Sequence, residues 1–404
     1  FNEWKLLAGL AVRHGVAALI WQNLSDLGHA GEVPATERTL LEGLRFKSIA
    51  RVSWITEAAA GVTALLEQEG IKVVLLKGLA LEHTVYGSKG LRQMSDADLL
   101  VAPSDALRAR DILVREGFRS MSLKSPLYRH IILDLGNHLP ELHRGGISVD
   151  LHYRLFGPEG EEMVERAIRD SIIITGGGRE PDRNVAVTRE SGAGTGAVVS
   201  SRADIPGAGA IASSRTDIPG AGKFRILPPM TAFLALVSHI YKHEIKGEFQ
   251  LRLWTDIYLL LDRYGKQILI SRLAAAAEEA GIRKEIAAVL TVMEKVWGVA
   301  LPESMAADSS AAQEAAVASF MNRLAHPGSV ESISQREMFM RNLKALKSPR
   351  KKFIFILGDI FPSVGFMKRR YNCRSKVAAF LFYPHRLGKI PWILGLLRTE
   401  KYDN

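Results

Sequence analysis

The sequence predicts an α/β (α+β) core that is flanked by an N-terminal helical segment and a C-terminal all-α domain. Short β-branched runs alternate with helical patterns between residues 70 and 188, which is the order of elements in an α/β unit. Apolar residues recur three and four positions apart on both sides, in residues 1–69 and 223–404, as amphipathic helices require. A chain of 404 residues is long enough to bury a substantial core.

The core elements follow one another in a regular order. The first helical pattern ends at Gly70, a residue type that favours the conformation found just after helices. The short β-branched run IKVVLLKG then predicts a buried strand. After it we predict a short helix, a strand, a helix with Ser104 as its N-cap, and a further strand, in the segments LALEHTVYG, DADLLVA, PSDALRARDILVREGF and GISVDLHYRLF.

A tandem repeat interrupts the chain within residues 189–222. The sequence SSRADIPGAG at Ser200–Gly209 recurs as SSRTDIPGAG at Ser213–Gly222. Gly, Ala and Ser dominate it and leave no apolar face to bury, so we predict a flexible insertion without a chemical role. Beyond it, amphipathic segments such as MTAFLALVSHIYKHEI and LRLWTDIYLLLDRYG predict the helical domain. The last segment, from Phe353, predicts broken helices packed on the core, with contact to a membrane surface as the alternative.

Composition narrows the class of protein. The net charge is +10, and basic residues are dense in the C-terminal third, which favours phosphate-bearing partners unless these residues only solvate helix faces. The single cysteine, Cys373, excludes an internal disulfide and suits a reducing cytoplasm, and no apolar run approaches the roughly 18 residues of a membrane span. His239 and His243 have zinc-ligand spacing, but the remaining ligands are missing. No P-loop, dinucleotide fingerprint or nucleophile elbow occurs.

Two carboxylates precede the second predicted strand, in the segment DADLLV. Asp96 and Asp98 are two residues apart, so in a strand they point to the same side and repel each other. A bound divalent cation would relieve that repulsion. The alternative is that both are turn residues at the start of the strand.

Five short motifs occur in a fixed order between residues 73 and 152. They are VVLLKG at Val73–Gly78, Tyr86, Arg92, DADLL at Asp96–Leu100 and VDLH at Val149–His152. In this order they resemble the uncharacterised bacterial nucleotidyltransferases of the DNA polymerase β-like superfamily. The likeness extends to RHGVAALIWQNL before these motifs and to SHIYKH and LRLWTDIYLLL after them, and so covers most of the chain outside the repeat.

The resemblance implies a core with a small mixed sheet and a Mg²⁺-dependent (or Mn²⁺-dependent) reaction. A nucleotidyl group would pass from a nucleoside triphosphate to an unidentified acceptor, which is a protein, an RNA or a small molecule. Asp96, Asp98 and Asp150 are the expected catalytic and metal-binding residues, because Mg²⁺ prefers carboxylate oxygens and two such ions can stabilise the attacking and leaving oxygens. Asp150 would also help to deprotonate the acceptor.

The same resemblance implies a set of nucleotide-binding residues. Lys77 and Gly78 would form a turn and helix start beneath the β- and γ-phosphates, where backbone N–H groups favour anions. Arg92 would offer a bidentate fork to phosphate, and Lys242 is expected in the cleft toward the helical domain. The superfamily's usual Gly-Gly or Gly-Ser pair is Gly78-Leu79 here, so the serine hydroxyl that contacts phosphate is missing.

Each of these residues also has a structural interpretation. Asp150 can simply pair with Arg92 or Lys77, Gly78 can relieve a tight turn, and Arg92 can be a structural bridge. The alternative function is therefore a catalytically silent module that holds RNA or another partner on the same fold. Such a module would show nucleic-acid affinity that falls steeply with salt and needs no Mg²⁺.

Overall fold

A computed structural model of the chain describes residues 3–156, 161–175, 223–268, 272–301, 310–327 and 333–384. The predicted repeat insertion lies outside the described residues, and so does the end of the last predicted segment, residues 385–404.

Within the described ranges, seven short strands form one mixed sheet. In chain order they are β1 (Val74–Leu75), β2 (Ala97–Leu100), β3 (Arg119–Ser120), β4 (Leu142–Arg144), β5 (Ile147–His152), β6 (Ile172–Thr175) and β7 (Lys223–Ile226). Their spatial order is β3-β4-β5-β2-β1-β7-β6. The pairs β2–β5 and β1–β7 are parallel, and the other pairs are antiparallel.

Helices make up most of the rest of the described chain. Those before and within the sheet region are α1 (Trp4–Arg13), α2 (Ala17–Asp26), α3 (Ala35–Gln68), α4 (Lys77–Thr84), α5 (Ala106–Arg115) and α6 (Glu161–Arg169). Those after it are α7 (Pro229–Ile245), α8 (Leu251–Ile268), α9 (Leu273–Glu279), α10 (Arg283–Trp297), α11 (Ser310–Ala325), α12 (Gln335–Ala345), α13 (Pro349–Ile360), α14 (Val364–Arg370) and α15 (Lys376–Phe380). The structure is consistent with the predicted α/β class, and the described residues 353–384 form short, broken helices as predicted.

The sheet separates two layers of helices. Side chains of β1 and β2 alternate between the layers: Val73, Leu75 and Leu99 pack with α3 and α5, while Val74 and Leu100 pack with α7 and α8. Both strands are therefore buried on both faces, which explains their continuous apolar sequence. The side chains of Asp98 and Leu100 share the face toward α7 and α8, because residues two apart in a strand point the same way.

Of three sequence-based details, one is confirmed and two turn out differently. Gly70 has a φ of +76° just after α3, as expected for a residue that ends a helix. Ser104 is not the N-cap of α5, and the prediction was wrong. Asp105 precedes the helix instead, without a side-chain cap bond, because the chain has already turned there and the Asp105 N–H donates to the Ala102 carbonyl at 2.9 Å. Strand β7 extends the sheet into residues that the sequence assigned to the helical domain.

Helix α3 is the only helix in the described part of the chain that is long and apolar enough to cross a membrane by length and composition. Its apolar side packs on the sheet through Val52, Ile55 and Val62.

Candidate metal centre

The parallel pairing of β2 with β5 brings two carboxylates together. Asp98 lies directly opposite Asp150 in the register, and His152 follows on the same face as Asp150. One carboxylate oxygen from each aspartate and one ring nitrogen of His152 all lie within 4.8 Å of one another. In the part of the chain that the structure describes, this is the only such group of His, Cys, Asp and Glu side chains.

Asp96 lies next to this group rather than in it. It is the residue before β2, it is half-buried, and its Oδ1 accepts a hydrogen bond from the Ser95 hydroxyl at 3.3 Å. Burial, followed by the charge of Asp98, raises its pKa. The structure therefore places two of the three predicted metal-binding aspartates in one cluster and the third at its rim.

Lys77 supplies the positive charge closest to the aspartates. Its Nζ donates to Asp98 Oδ1 at 2.6 Å and lies 3.3 Å from His152 Nε2, which is itself 2.8 Å from the same oxygen. Lys77 has a φ of +45°, a left-handed conformation that costs a residue with a Cβ about 1–2 kcal/mol. This strained residue opens α4 and directs its ammonium group onto Asp98 instead of toward solvent.

The pKa values show that the cluster is unevenly neutralised. Burial alone would raise the pKa of Asp98, but the Lys77 ammonium and the His152 ring outweigh it and hold that pKa well below its usual range. Burial and the charges of Asp98 and Asp96 raise the pKa of Asp150 to about 6, against the opposing effect of His138. Burial and Lys77 lower the pKa of His152 to about 3, so its ring is neutral at physiological pH.

Asp150 has an oxygen atom without a partner. Its Oδ1 is buried and accepts no hydrogen bond from any group in the described structure. A buried acceptor left unpaired costs about 1–3 kcal/mol. Two carboxylates and a neutral imidazole form a donor set that suits a divalent cation. The residues present therefore fit a metal ion, which would be bound between Asp98, Asp150 and His152.

Arg92 is held in a separate buried network. Its Nη2 donates to Asp256 Oδ2 at 2.7 Å, its Nε lies 3.2 Å from Asp256 Oδ1, and the Tyr86 hydroxyl donates to that same oxygen at 2.8 Å. Arg92 and Asp256 are almost fully buried. The sequence left open whether Arg92 binds phosphate or forms a structural bridge. The structure shows the bridge, which joins the core to α8.

Gly78 lies under the Arg92 side chain. A Cβ at this position would stand 2.9 Å from Arg92 Nη1, so a larger residue would displace the guanidinium group. The close approach of Arg92 explains the glycine, because the left-handed backbone angle belongs to Lys77 and not to Gly78. The loop before Arg92 is fixed as well, since the buried Glu82 carboxylate accepts from the backbone N–H groups of Gly90 and Arg92.

Helix α7 crosses the helical side of this centre. Burial holds the pKa of His239 well below its usual range. The charges of Lys77 and Asp98 also act on this pKa. One turn further along α7, the Lys242 Nζ donates to the Leu155 carbonyl at 3.4 Å. His243 pairs instead with Glu248, at 2.5 Å. Lys242 thus contacts the backbone just after β5.

Two residues of these clusters were not predicted in their observed roles. His152 follows Asp150 by two positions, and strand alternation alone was enough to place it on the same face. Asp256 had no such signal, because it lies 164 positions from Arg92 in the chain.

A family model described as "uncharacterised nucleotidyltransferase" matches residues 2–176 and 199–298, which is more than half of the chain. No curated protein and no solved structure matches the chain. The matched residues include the whole metal cluster, Lys77, the Arg92–Asp256 network and Lys242.

Proposed function

This chain belongs to the uncharacterised nucleotidyltransferase family, and from that premise we propose that it transfers a nucleotidyl group from a nucleoside triphosphate to an acceptor. The observation that carries the proposal is the convergence of Asp98, Asp150 and His152, with one buried oxygen of Asp150 unpaired. An unpaired buried carboxylate oxygen is costly for folding alone, and it becomes useful when a cation or a proton is delivered to it.

Asp98, Asp150 and His152 would hold a divalent cation, Mg²⁺ or Mn²⁺, whose charge stabilises the phosphate oxygens of the reacting triphosphate. Asp96, at the rim, would contribute to a second ion. In the reaction, the acceptor oxygen forms a bond to the α-phosphorus, the bond from that phosphorus to the bridging oxygen breaks, and pyrophosphate leaves with the electron pair. We assign Asp150 the task of taking the acceptor's proton, because its Oδ1 has no partner among the described residues.

Lys77 has two positions in this proposal. In the structure its ammonium group is bound to Asp98, where it partly neutralises the cluster. A cation at Asp98 would displace it, and the side chain would then be available for a phosphate oxygen, as the sequence suggested. Arg92 and Gly78 would act indirectly, through the network that fixes α4 and the start of β2.

The position of Lys77 also favours the alternative function. An ammonium group that already occupies the oxygen of Asp98 is the arrangement expected of a catalytically silent module, which needs no metal. Such a protein would bind RNA or another partner through its basic C-terminal half, with affinity that falls steeply as salt rises.

Labelled triphosphates separate the two functions. The protein is incubated with each of the four ribonucleoside triphosphates, Mg²⁺ or Mn²⁺ and a cell extract, with the label at the α-phosphate in one series and the γ-phosphate in the other. We expect the α-label to enter a product and the γ-label to be released as pyrophosphate. Asp98→Asn and Asp150→Asn should each reduce the incorporation of the α-label and the release of pyrophosphate by more than about 100-fold. Loss of a residue that only supports a metal ligand typically costs about 10- to 100-fold, so a larger loss indicates a direct ligand.

The matched control is Asp111→Asn, which removes an exposed carboxylate on α5, away from the cluster. It should react as the unmodified protein does. A product that carries the γ-label would indicate phosphoryl transfer instead. The silent module would be supported if no triphosphate gives a product and the protein binds RNA with an affinity that falls with salt and is unchanged in Asp98→Asn.

A further inference from the structure

Helix α15 carries its large apolar side chains on its outer face. Val377, Phe380 and Leu381 are three and four positions apart, and Leu381 continues the helical backbone, so the three side chains share one face. They are 74%, 65% and 75% exposed, while the buried residue of the helix is Ala379. An amphipathic helix of a globular protein buries its large apolar residues instead. We call this exposed face, formed by Val377, Phe380 and Leu381, the apolar patch.

The helix that carries the apolar patch is well formed. Ser375 is its N-cap, and the Ser375 hydroxyl accepts a hydrogen bond from the Ala378 N–H at 3.0 Å. The ring of Tyr371, just after α14, stacks on the ring of Phe382, just after α15, with 4.5 Å between the centroids. The patch is therefore presented by an ordered helix pair.

Helix α14 anchors this pair to the α/β core. The backbone N–H of Ser363, its N-cap, donates to the Lys124 carbonyl at 2.6 Å, and the Ser363 hydroxyl donates to the Leu123 carbonyl at 3.0 Å. Met367, in the middle of the helix, is fully buried. A partner bound at the apolar patch would therefore be held close to the core.

The segment that leads to the apolar patch is strongly basic. Between residues 368 and 376 the basic side chains are Lys368, Arg369, Arg370, Arg374 and Lys376, and all but the first are exposed. The sequence has no Asp or Glu between Asp359 and Glu400. Within the described ranges none of the five basic residues forms an ion pair with a carboxylate. Large apolar side chains and unneutralised positive charge therefore occur together.

An anionic membrane surface matches both of these properties. Its phosphate headgroups attract Lys and Arg, and apolar side chains of a helix can insert into the boundary between headgroups and acyl chains. RNA would neutralise the charge, but aliphatic side chains such as Val377 and Leu381 offer no platform on which bases stack. Residues 385–404, with four basic and two acidic side chains, would add positive charge to the patch, and so would a second copy of it.

We propose that the apolar patch binds an anionic lipid membrane, with the basic side chains of residues 368–376 at the level of the phosphate headgroups. The protein is then peripheral, and its α/β core is held at the membrane surface. This is the alternative that the sequence left open for the segment from Phe353. The inference does not depend on nucleotidyl transfer, because the patch and the metal cluster share no residue.

The test measures co-sedimentation of the full chain with vesicles. One set contains equal parts of phosphatidylcholine and the anionic phosphatidylglycerol, and the other contains phosphatidylcholine alone. We expect binding to the anionic vesicles to be at least about tenfold tighter than to the neutral ones, and to weaken as salt rises.

Two variants test the apolar part of the patch. Phe380→Ser/Leu381→Ser should weaken binding to the anionic vesicles by at least about tenfold, because two inserted apolar side chains are lost. Both side chains are exposed, so the Tm should not change. The matched control is Phe46→Ser, which removes a phenylalanine that is 63% exposed on α3 and should leave vesicle binding unchanged.

The charged part of the patch has its own pair of variants. Arg374→Gln/Lys376→Gln should weaken binding to the anionic vesicles by about 10- to 30-fold, since each basic residue near such a surface contributes about fivefold. Lys5→Gln/Lys72→Gln removes two exposed positive charges elsewhere and should have little effect. The single cysteine, Cys373, lies between α14 and α15, so an environment-sensitive fluorophore attached to it should shift to shorter wavelength with anionic vesicles.

Asp98→Asn separates this inference from the proposed function, because it should abolish nucleotidyl transfer and leave vesicle binding intact. The inference is overturned if the full chain does not sediment with anionic vesicles. Unchanged vesicle binding in Phe380→Ser/Leu381→Ser, or an equal loss in Phe46→Ser, would also overturn it. A dimer or an RNA complex that requires Phe380 and Leu381, without vesicle binding, would assign the patch to that partner instead.

Discussion

Two buried charge clusters lie between the sheet and the C-terminal helices, and they differ in how completely their charges are matched. In the Arg92–Asp256–Tyr86 network each guanidinium nitrogen has an acceptor, and both oxygens of Asp256 accept hydrogen bonds. In the Asp98–Asp150 cluster one lysine faces two carboxylates, and Asp150 Oδ1 accepts nothing from the described residues.

The difference separates a structural role from a functional one. Both clusters contain buried ionisable groups, and both come from motifs that the sequence singled out. Burial and a charged partner therefore do not identify a reactive site by themselves. We take the unmatched charge as the mark of a functional cluster, because a complete network stabilises the fold and an incomplete one costs free energy until a ligand completes it.

Breaking the complete network should have the largest effect. Arg92→Ala leaves Asp256 as an unpaired buried charge, so we expect the free energy of unfolding to fall by about 3–5 kcal/mol, measured by urea denaturation. The double variant Arg92→Met/Asp256→Leu should recover part of that loss, because both charges are then removed together. A loss below about 1 kcal/mol in Arg92→Ala would mean that the network is not structural.

Asp150 by itself should contribute a loss of stability to the metal-free protein as pH rises between about 4 and 6. The pKa of Asp150 is raised from 3.8 to about 6, so its charged form is disfavoured in the folded state. The penalty is absent below pH 4, grows through this window and is complete above pH 6, at about 1–3 kcal/mol after allowance for partial exposure. The lowered pKa of Asp98 acts in the opposite direction and only below about pH 4.

Asp150→Asn tests this by denaturation in EDTA across pH 4–7. The variant should be more stable than the unmodified protein at pH 7 and nearly equal at pH 4. The remaining pH dependence is largely common to both proteins and cancels in the comparison: burial raises the pKa values of Asp96 and Glu82, but it lowers those of His83 and His239, whose contribution to stability grows as pH rises. Lower stability of the variant at pH 7 would show that Asp150 is satisfied in the fold, and the contrast between the clusters would be lost.

The smallest expected effect concerns Lys77, the lysine of the Asp98–Asp150 cluster. Because the Lys77 ammonium occupies Asp98 Oδ1, it competes with a cation for that oxygen. Lys77→Gln should therefore increase the affinity for Mn²⁺ in the absence of nucleotide by up to about tenfold, measured by calorimetry. Lys72→Gln removes an equal charge from an exposed position and should have little effect. Weaker Mn²⁺ binding in Lys77→Gln would mean that the lysine supports the metal site.

The parts of the molecule that depend on local pattern were predictable from the sequence. Strand alternation placed Asp150 and His152 on one face, a β-branched run identified β1, and short apolar segments identified β2 and β5. Strand β7 was missed because four residues with a lysine and an arginine, Lys223–Ile226, carry no clear strand signal. Strand β6 was also missed, although its residues Ile172–Thr175 are all β-branched and favour a strand. The bridge between Arg92 and Asp256 was beyond local pattern, since only tertiary packing brings those residues together.

The parallel pairing of β1 with β7 has a consequence for the order in which the protein can fold during synthesis. Val74 pairs with Arg225, so about 150 residues must be made after β1 before its second neighbour exists. At roughly 5–20 residues per second this takes roughly 10–30 s. During that interval β1 is an apolar edge strand with free backbone groups, which other chains can pair with. We expect a fragment that ends at residue 188 to aggregate rather than fold, and the nascent chain to need protection until β7 has been made.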